Sequence, residues 1–343
     1  MKIFVCEFIT AGGLNRVDLP QSLVQEGSLM RDALLRDLGM LPNTQVITTH
    51  DARLSAALLS SMPITYDDDA MLVWQNLLKG CDAAFIIAPE TGGHLASLVA
   101  LVNNAHVLHL GCNLSAIQVA SSKYQTYQHL NKAEINVVPT YLFSELTTAK
   151  ELEAKNKAQP SLLNQWVVKP DDGAGCDDTI CVSNLMEVHQ YLINKAQTQS
   201  IDTQVIQPFI EATPASISML CKAGQAWVVG CNLQKIALDN NKFVYHGNVV
   251  NGLNTHYAHF DMIAKKIAQA MPNLAGYVGV DVLVNGDEIT VLEINPRLTT
   301  SFSGLHESTG LNVTKLILDL FLAPVFTMPE FNPINNKPIE ITL

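Results

Sequence analysis

The stretch GVDVLVNGDEITVLEINPR at residues 279–297 constrains the fold more than any other. Residues 280–284 and 289–294 are rich in β-branched side chains and flank Asn285-Gly286, the strongest short-range signal for a β-hairpin. Side chains alternate along a strand, so Glu293 and Asn295 share one face while Leu292 and Ile294 turn to the other. Asp281 falls opposite Glu293 if the connection has an odd count, as in Gly286-Asp287-Glu288 with Gly286 left-handed. Three oxygen donors, Asp281, Glu293 and Asn295, with no His or Cys, suit a hard cation. Mg²⁺ fits first and Mn²⁺ as a substitute, with water and substrate phosphates completing the coordination. A solvated hairpin end whose acids merely face water is the competing reading, and the rest of the chain has to decide.

At 343 residues the chain exceeds the usual single core, so two or three packed α/β domains are expected, and 48% hydrophobic residues can fill them. A net charge of −11, from 21 basic and 32 acidic residues, argues against a nucleic-acid or anionic-membrane surface, so an anionic ligand must be held locally. The opening MKIFVCEFIT is apolar, but Glu7 interrupts it and no small-residue cleavage site follows, which makes it a strand rather than a leader. No uncharged run approaches the length of a membrane span. Seven scattered cysteines without a paired framework point to a reducing, cytoplasmic setting.

Strand patterns at residues 2–8, 45–49, 83–88 and 107–110 alternate with helical ones such as 23–38, which predicts a Rossmann-like N-terminal domain. Gly12-Gly13 makes a tight turn after the first strand that could border a second substrate; one Gly-Gly pair is no dinucleotide fingerprint. Pro89-Glu90-Thr91-Gly92-Gly93 follows a strand where ligands often bind in open sheets, although a capped helix start explains it more simply. Asp67-Asp68-Asp69 fits N-capping of a helix at 70–78 better than metal binding.

From Cys112 onward the pattern changes. Ser121-Ser122-Lys123-Tyr124 opens a helix towards Lys132, residues 139–142 read as a strand, and 147–159 as an exposed helix or linker. Residues 166–170 form an apolar strand that carries Lys169 and runs straight into a loop containing Gly173 and Gly175. A flexible glycine loop can close over a triphosphate with its amides free to donate, while a strand-borne lysine supplies a fixed charge. The spacing is not that of a P-loop. A strand at 179–182, a helix at 185–195 and a strand at 204–210 follow, then strands at 216–221 and 226–232 and a helix at 260–271. Three histidines between 242 and 259 read as ordinary loop residues, and the cysteine pairs 176/181 and 221/231 lack zinc spacing. A Ser/Thr-rich loop at 298–304 leads to a helix at 313–322.

The hairpin acids Asp281, Glu293 and Asn295, the two lysines and the order of elements over roughly 112–325 resemble the ATP-grasp superfamily. That resemblance implies an α/β ATP-grasp fold, divided into a Rossmann-like domain at 1–111, a part with a small lid subdomain at 112–210, and a metal-carrying part at 211–343. It implies that Lys123 and Lys169 meet the nucleotide phosphates, that Gly173 and Gly175 belong to the lid, and that Gln207-Pro208-Phe209-Ile210 reads adenine through backbone groups. Arg297, in Asn295-Pro296-Arg297, would face the transferring phosphate or the substrate carboxylate, so Arg297 and Lys169 are the catalytic candidates. ATP and Mg²⁺ would be required, and the substrates would be a small carboxylate and an amine, with no nucleic acid or membrane partner. The family is compatible with a homodimer. Within it, Glu7-Phe8, Gly12-Gly13, Ser22-Leu23, Glu26-Gly27 and NPRLTTS resemble the tyramine–glutamate ligase branch of methanofuran biosynthesis. The implied reaction joins glutamate to an aromatic amine such as tyramine or tyrosine through an acyl phosphate. Other carboxylate–amine substrates, or a nucleotide-binding scaffold without turnover, are the alternatives.

Overall fold

The alternating apolar side chains of β1 (Lys2–Glu7) separate two cores: Phe4 and Cys6 enter one, Ile3 and Val5 the other. Such a strand is buried on both faces, which is why it reads as a continuous apolar run. In the computed structural model, which describes residues 1–145, 165–173, 175, 176, 178–197, 201 and 203–343, β1 is central to a five-stranded parallel sheet. Its partners are β2 (Gln45–Asp51), β3 (Ser61–Ile64), β4 (Ala83–Ile87) and β5 (Leu108–His109), in the order β3-β2-β1-β4-β5. This is the expected Rossmann-like arrangement, with one strand more than the sequence signalled. The extra strand, β3, lies at the sheet edge and contains Pro63, which is tolerated there and hides the strand pattern.

Helix α1 (Gln21–Gly39) packs Leu34, Leu35 and Leu38 on one side of this sheet, in the same core as Leu316, Ile317 and Leu320. Helices α2 (Ala70–Leu78) and α3 (His94–Asn104) close the other side through Trp74, Leu98 and Val102. Asp69 caps α2, its side chain accepting from Leu72 N at 3.1 Å, as the Asp67-Asp68-Asp69 run predicts. Helices α4 (Leu114–Ala120) and α5 (Lys123–Lys132) then lead away.

The second sheet has ten strands among the described residues. One half contains β6 (Tyr141–Leu142), β7 (Trp166–Pro170), β8 (Ile180–Val182) and β9 (Gln204–Pro208), backed by α6 (Leu185–Ala196) through Trp166, Val168, Val188 and Leu192. The other half contains β10 (Thr213–Lys222), β11 (Gln225–Asp239), β12 (Lys242–Val250), β13 (Gly276–Asn285) and β14 (Glu288–Asn295), covered by α7 (Tyr257–Ala270). The halves meet where β12 touches β8 at a single residue pair, Lys242 with Ile180. Strand β12 replaces part of the loop expected between 242 and 259: His246 lies in the middle of the strand, His256 in the turn beyond it and His259 in the first turn of α7. At the end of the chain β15 (Ile339–Thr342) adds to β12. Helix α8 (Phe302–Thr309) begins inside the stretch read as a loop, and α9 (Val313–Leu322) falls where expected. The helix or linker expected at 147–159 lies outside the described residues. Among the described residues, no helix is long and apolar enough to cross a membrane.

Candidate functional site

The β13–β14 hairpin places Asp281 opposite Glu293, but not for the reason the sequence supplied. The turn has the two residues Gly286 and Asp287, with Asn285 paired to Glu288 and Gly286 at φ +59°. The extra residue sits within the ladder, where Val282 pairs with Val291 and Asp281 with Glu293, so Leu292 is bulged out. A bulge places two residues of one strand against one of the other. Leu292 therefore lines the same cleft as Glu293 and Asn295 instead of turning away, while Ile294 is buried as expected.

Lys123 opens α5 and Lys169 sits on β7; both are buried, and both ammonium groups point at Glu293 Oε2, from 3.5 and 3.4 Å. Lys123 also donates to the carbonyls of Gly173, at 2.6 Å, and Asp171, at 3.3 Å. Tyr124 N donates to Asp171 Oδ1 at 2.8 Å, so the start of α5 grips the glycine loop. Burial favours the neutral form of Lys169, and the Lys123 charge adds to that; Glu293 only partly offsets it, leaving the ammonium below its ordinary pKa. Burial would raise Glu293 as well, but the two lysines override it and hold the carboxyl low. Asp281 goes the other way, pushed up by burial and by the adjacent Glu293 carboxylate. Asn295 Nδ2 donates to Asp281 Oδ2 at 3.3 Å, and Gln234 Nε2 to Asp281 Oδ1 at 2.9 Å.

These groups face one cavity of about 370 Å³ between the two halves of the second sheet. Lys123, Lys169, Gly173, Gly175, Gln207, Pro208, Phe209, Ile210, Asp281, Glu293, Asn295 and Arg297 all border it. Apolar walls come from Val167, Leu283 and Leu292. At the segment that follows β9, Phe209 N donates to Gln165 O at 3.0 Å, so that amide is engaged in the sheet. The Gln207 side chain is turned to Thr140 Oγ1, at 2.8 Å. Among the described residues no group of three or more His, Cys, Asp or Glu side chains could hold a metal ion alone. The donor set Asp281, Glu293 and Asn295 nevertheless fits a hard cation that shares its ligands with phosphate, because the paired acids are already juxtaposed and Asn295 has its oxygen free of the Asp281 contact.

Arg297 is half-buried in the cleft wall, and its Nε and Nη2 both donate to Glu90 Oε2, at 3.1 and 2.9 Å. Its Nη1 donates to Leu298 O at 3.1 Å. Burial would lower the guanidinium, but Glu90 raises it above its ordinary value. The loop at 89–93 is thus more than the helix start read from sequence: no side chain caps α3, Thr91 Oγ1 donates to Asp172 O at 2.9 Å, and Gly92 N to Asp172 Oδ2 at 3.0 Å. Glu26, on α1, also lines the cleft and accepts from Thr300 Oγ1 at 3.4 Å. Gln234 escaped sequence reasoning, and Glu26 and Glu90, though they stand in patterns noted in the sequence, gave no sign of their partners Thr300 and Arg297, because each meets its partner from a distant part of the chain. Gly12 and Gly13 do not line the cleft; a Cβ at either would collide with Ile64 or with Phe8, so they serve close packing.

The ATP-grasp domain family matches residues 120–301, and the pre ATP-grasp 3 domain family matches 44–117. The chain is 27% identical over 319 residues to a tyramine–L-glutamate ligase of Methanocaldococcus jannaschii, covering 90% of this chain and 86% of that protein. A putative ATP-grasp superfamily protein of Archaeoglobus fulgidus shares the fold with a TM-score of 0.68 and 23% identity, over 93% of this chain and 88% of its own. An L-amino acid ligase from Bacillus licheniformis has a TM-score of 0.63 and 16% identity, over 94% and 74%. With a family match across more than half its length and a second sheet that closes over a cleft of lysines and acids, the chain belongs to the ATP-grasp family.

Proposed function

We propose that this ATP-grasp ligase, ADP-forming and making a carbon–nitrogen bond, joins the side-chain carboxylate of glutamate to an aromatic amine such as tyramine or tyrosine. The observation that carries the reading is the convergence of Lys123 and Lys169 on Glu293, beside Asp281 and in the same cleft as Arg297. Two buried ammonium groups held by one carboxylate form an anion site whose present counter-charge is the protein's own. ATP phosphates would take up those lysines and let Glu293 turn to a cation. Asp281, Glu293 and Asn295 would hold Mg²⁺, which when bound offsets charge on the phosphates. The backbone after Gln207, with the Pro208 carbonyl and the Ile210 amide, would meet adenine, and Val167, Leu283 and Leu292 would sandwich it. Gly173 and Gly175 would let the loop close over the phosphates.

The carboxylate oxygen attacks the γ-phosphorus and ADP leaves; the amine nitrogen then attacks the acyl carbon, losing a proton as phosphate departs. No side-chain nucleophile is required. Lys169 and Arg297 act by placing positive charge where the transferring phosphoryl group and the substrate carboxylate meet. Residues 1–111 are proposed as the Rossmann-like part, 112–210 as the part with the lid, and 211–343 as the part with the metal site. The substrate pair is supported by the M. jannaschii relative's activity and by the carboxylate-binding chemistry of Arg297. Incubation with ATP, Mg²⁺, glutamate and tyramine or tyrosine, read by mass spectrometry, should yield a γ-glutamyl amide and ADP. ADP release only with an unrelated carboxylate and amine would discard this pair and keep the ligase class.

A further inference from the structure

Charge is unevenly matched at the end of the cleft nearest Arg297. Two of the guanidinium's nitrogens are spent on one oxygen of Glu90, so Arg297 already has a full counter-charge from the first sheet. Glu26 is a second carboxylate in the same electrostatic neighbourhood as Arg297, and it lines the cleft. Among the described residues its only donor is Thr300 Oγ1 at 3.4 Å, long for a hydroxyl-to-carboxylate bond. The three groups together therefore carry one negative charge in excess, partly withdrawn from water. A ligand that brought only a carboxylate to Arg297 would add to that excess; one that also brings an ammonium group leaves it no larger and sets a cation beside Glu26.

The position of Glu26 is fixed by its neighbour. Gly27 sits so close to strand β1 that a Cβ would lie 2.5 Å from Glu7 Oε2. Glu7 is itself locked, accepting from Thr10 N at 2.8 Å and Thr10 Oγ1 at 2.6 Å. Helix α1 can settle onto the sheet only because residue 27 has no side chain, and that seating carries Glu26 to the cleft wall. The Glu7 and Glu26-Gly27 pattern thus acquires a physical purpose that the nucleotide site does not use.

We propose that Glu26 is a specificity-determining residue that accepts a hydrogen bond from the α-ammonium group of the substrate whose carboxylate is activated beside Arg297. This rests on the ligase reading above and narrows it to carboxylate donors that are α-amino acids. The α-ammonium, rather than the acceptor amine, is assigned because an acceptor held as a cation at a carboxylate could not attack.

The test compares L-glutamate with glutarate, which lacks the ammonium, in ADP release with ATP, Mg²⁺ and tyramine. Wild type should prefer glutamate, and Glu26→Gln should raise the glutamate KM by roughly 10- to 100-fold, as expected for losing one charge-assisted hydrogen bond. The KM values for glutarate, tyramine and ATP should stay within about two-fold, and Glu26→Lys should reverse the preference towards glutarate. Thermal melting of both variants checks that the fold is retained. If either variant is unfolded, Thr300→Val with Glu26→Asp takes its place, with the same selective rise in glutamate KM expected. Parallel losses with both donors, equal use of both by wild type, or a change confined to the tyramine KM would each overturn the proposal while leaving the ligase reading intact. No ADP release by wild type with any carboxylate and amine would instead bring down the ligase reading itself, and this proposal with it.

Discussion

Asp281 and Glu293 face each other across the β13–β14 ladder, one pair beyond the bulge at Leu292, and their surroundings drive their protonation in opposite directions. Glu293 has two ammonium groups for company; Asp281 has two amide donors and the Glu293 charge. Without a cation between them, the pair holds repulsion that the free protein bears as a cost to stability.

That cost gives the first expectation. The Asp281 carboxyl titrates at about 7 in the folded chain against 3.8 as its ordinary value, so between those values the folded state binds more protons than the unfolded one. Stability linked to Asp281 is therefore greatest in acid and is lost as pH rises through the 3.8–7 window. Asp281→Asn should raise the melting temperature of the metal-free protein at pH 8, by roughly 2 °C for each ~1 kcal/mol relieved. It should also abolish ADP production. Calorimetry at pH 5 and pH 8 checks the sign: a variant no more stable than wild type at pH 8 contradicts the repulsion described here.

Glu293→Gln keeps the shape of the side chain but leaves Lys123 and Lys169 facing each other without an anion. Turnover should fall by about 10²- to 10³-fold, the range for losing one preorganised charge at a reacting centre. Stability without nucleotide should fall modestly, and ATP should restore it, because phosphate supplies the missing negative charge. Comparable ADP production by the variant would remove Glu293 from the site.

Leu292 offers a test of the bulge. As a half-buried cleft residue, Leu292→Ala should cost little in folding and weaken ATP by roughly ten-fold, the value of about 1–2 kcal/mol of apolar contact. An unchanged ATP affinity measured by calorimetric titration would show that the bulged side chain does not touch the nucleotide.

The glycine loop is expected to become protected when nucleotide binds. Asp171, Asp172 and Gly173 are tied by Lys123 and Tyr124 and by the 89–93 loop, while Gly175, at φ +66°, adopts a conformation that favours glycine. Hydrogen exchange with ATP and Mg²⁺ should slow amides in this segment. Equal exchange with and without ligand would argue that the loop is no lid.

Much of this site was readable from the chain because its key pairs are local. Glu293 and Asn295 are two residues apart, and Lys169 stands four before Gly173, so strand alternation and glycine chemistry expose them. The sequence places Asp281 opposite Glu293 through a three-residue turn, whereas the structure does so through the bulge at Leu292, because a bulge inside a strand leaves no mark that distinguishes it from a longer turn. Pro63 hides strand β3. Glu90 meets Arg297 across 207 positions, and Glu26 meets Thr300 across 274, separations at which a single sequence carries no pairing signal.

The single-pair seam between β8 and β12 has a mechanical meaning. Among the described residues, the Cys181 N to Asn241 O and Phe243 N to Thr179 O bonds, at 2.8 and 3.4 Å, span it, while every other strand neighbour is stitched along its own ladder. A swing of the four-strand half that carries Lys169, like a jaw about this short backbone pivot, would therefore break little interstrand bonding. In the proposed binding mode adenine would be held from the jaw and the phosphates and cation by the acids of the other half, so a bound nucleotide would work as the pin that shuts it. Departure of ADP would then need no unfolding, only the loss of that pin.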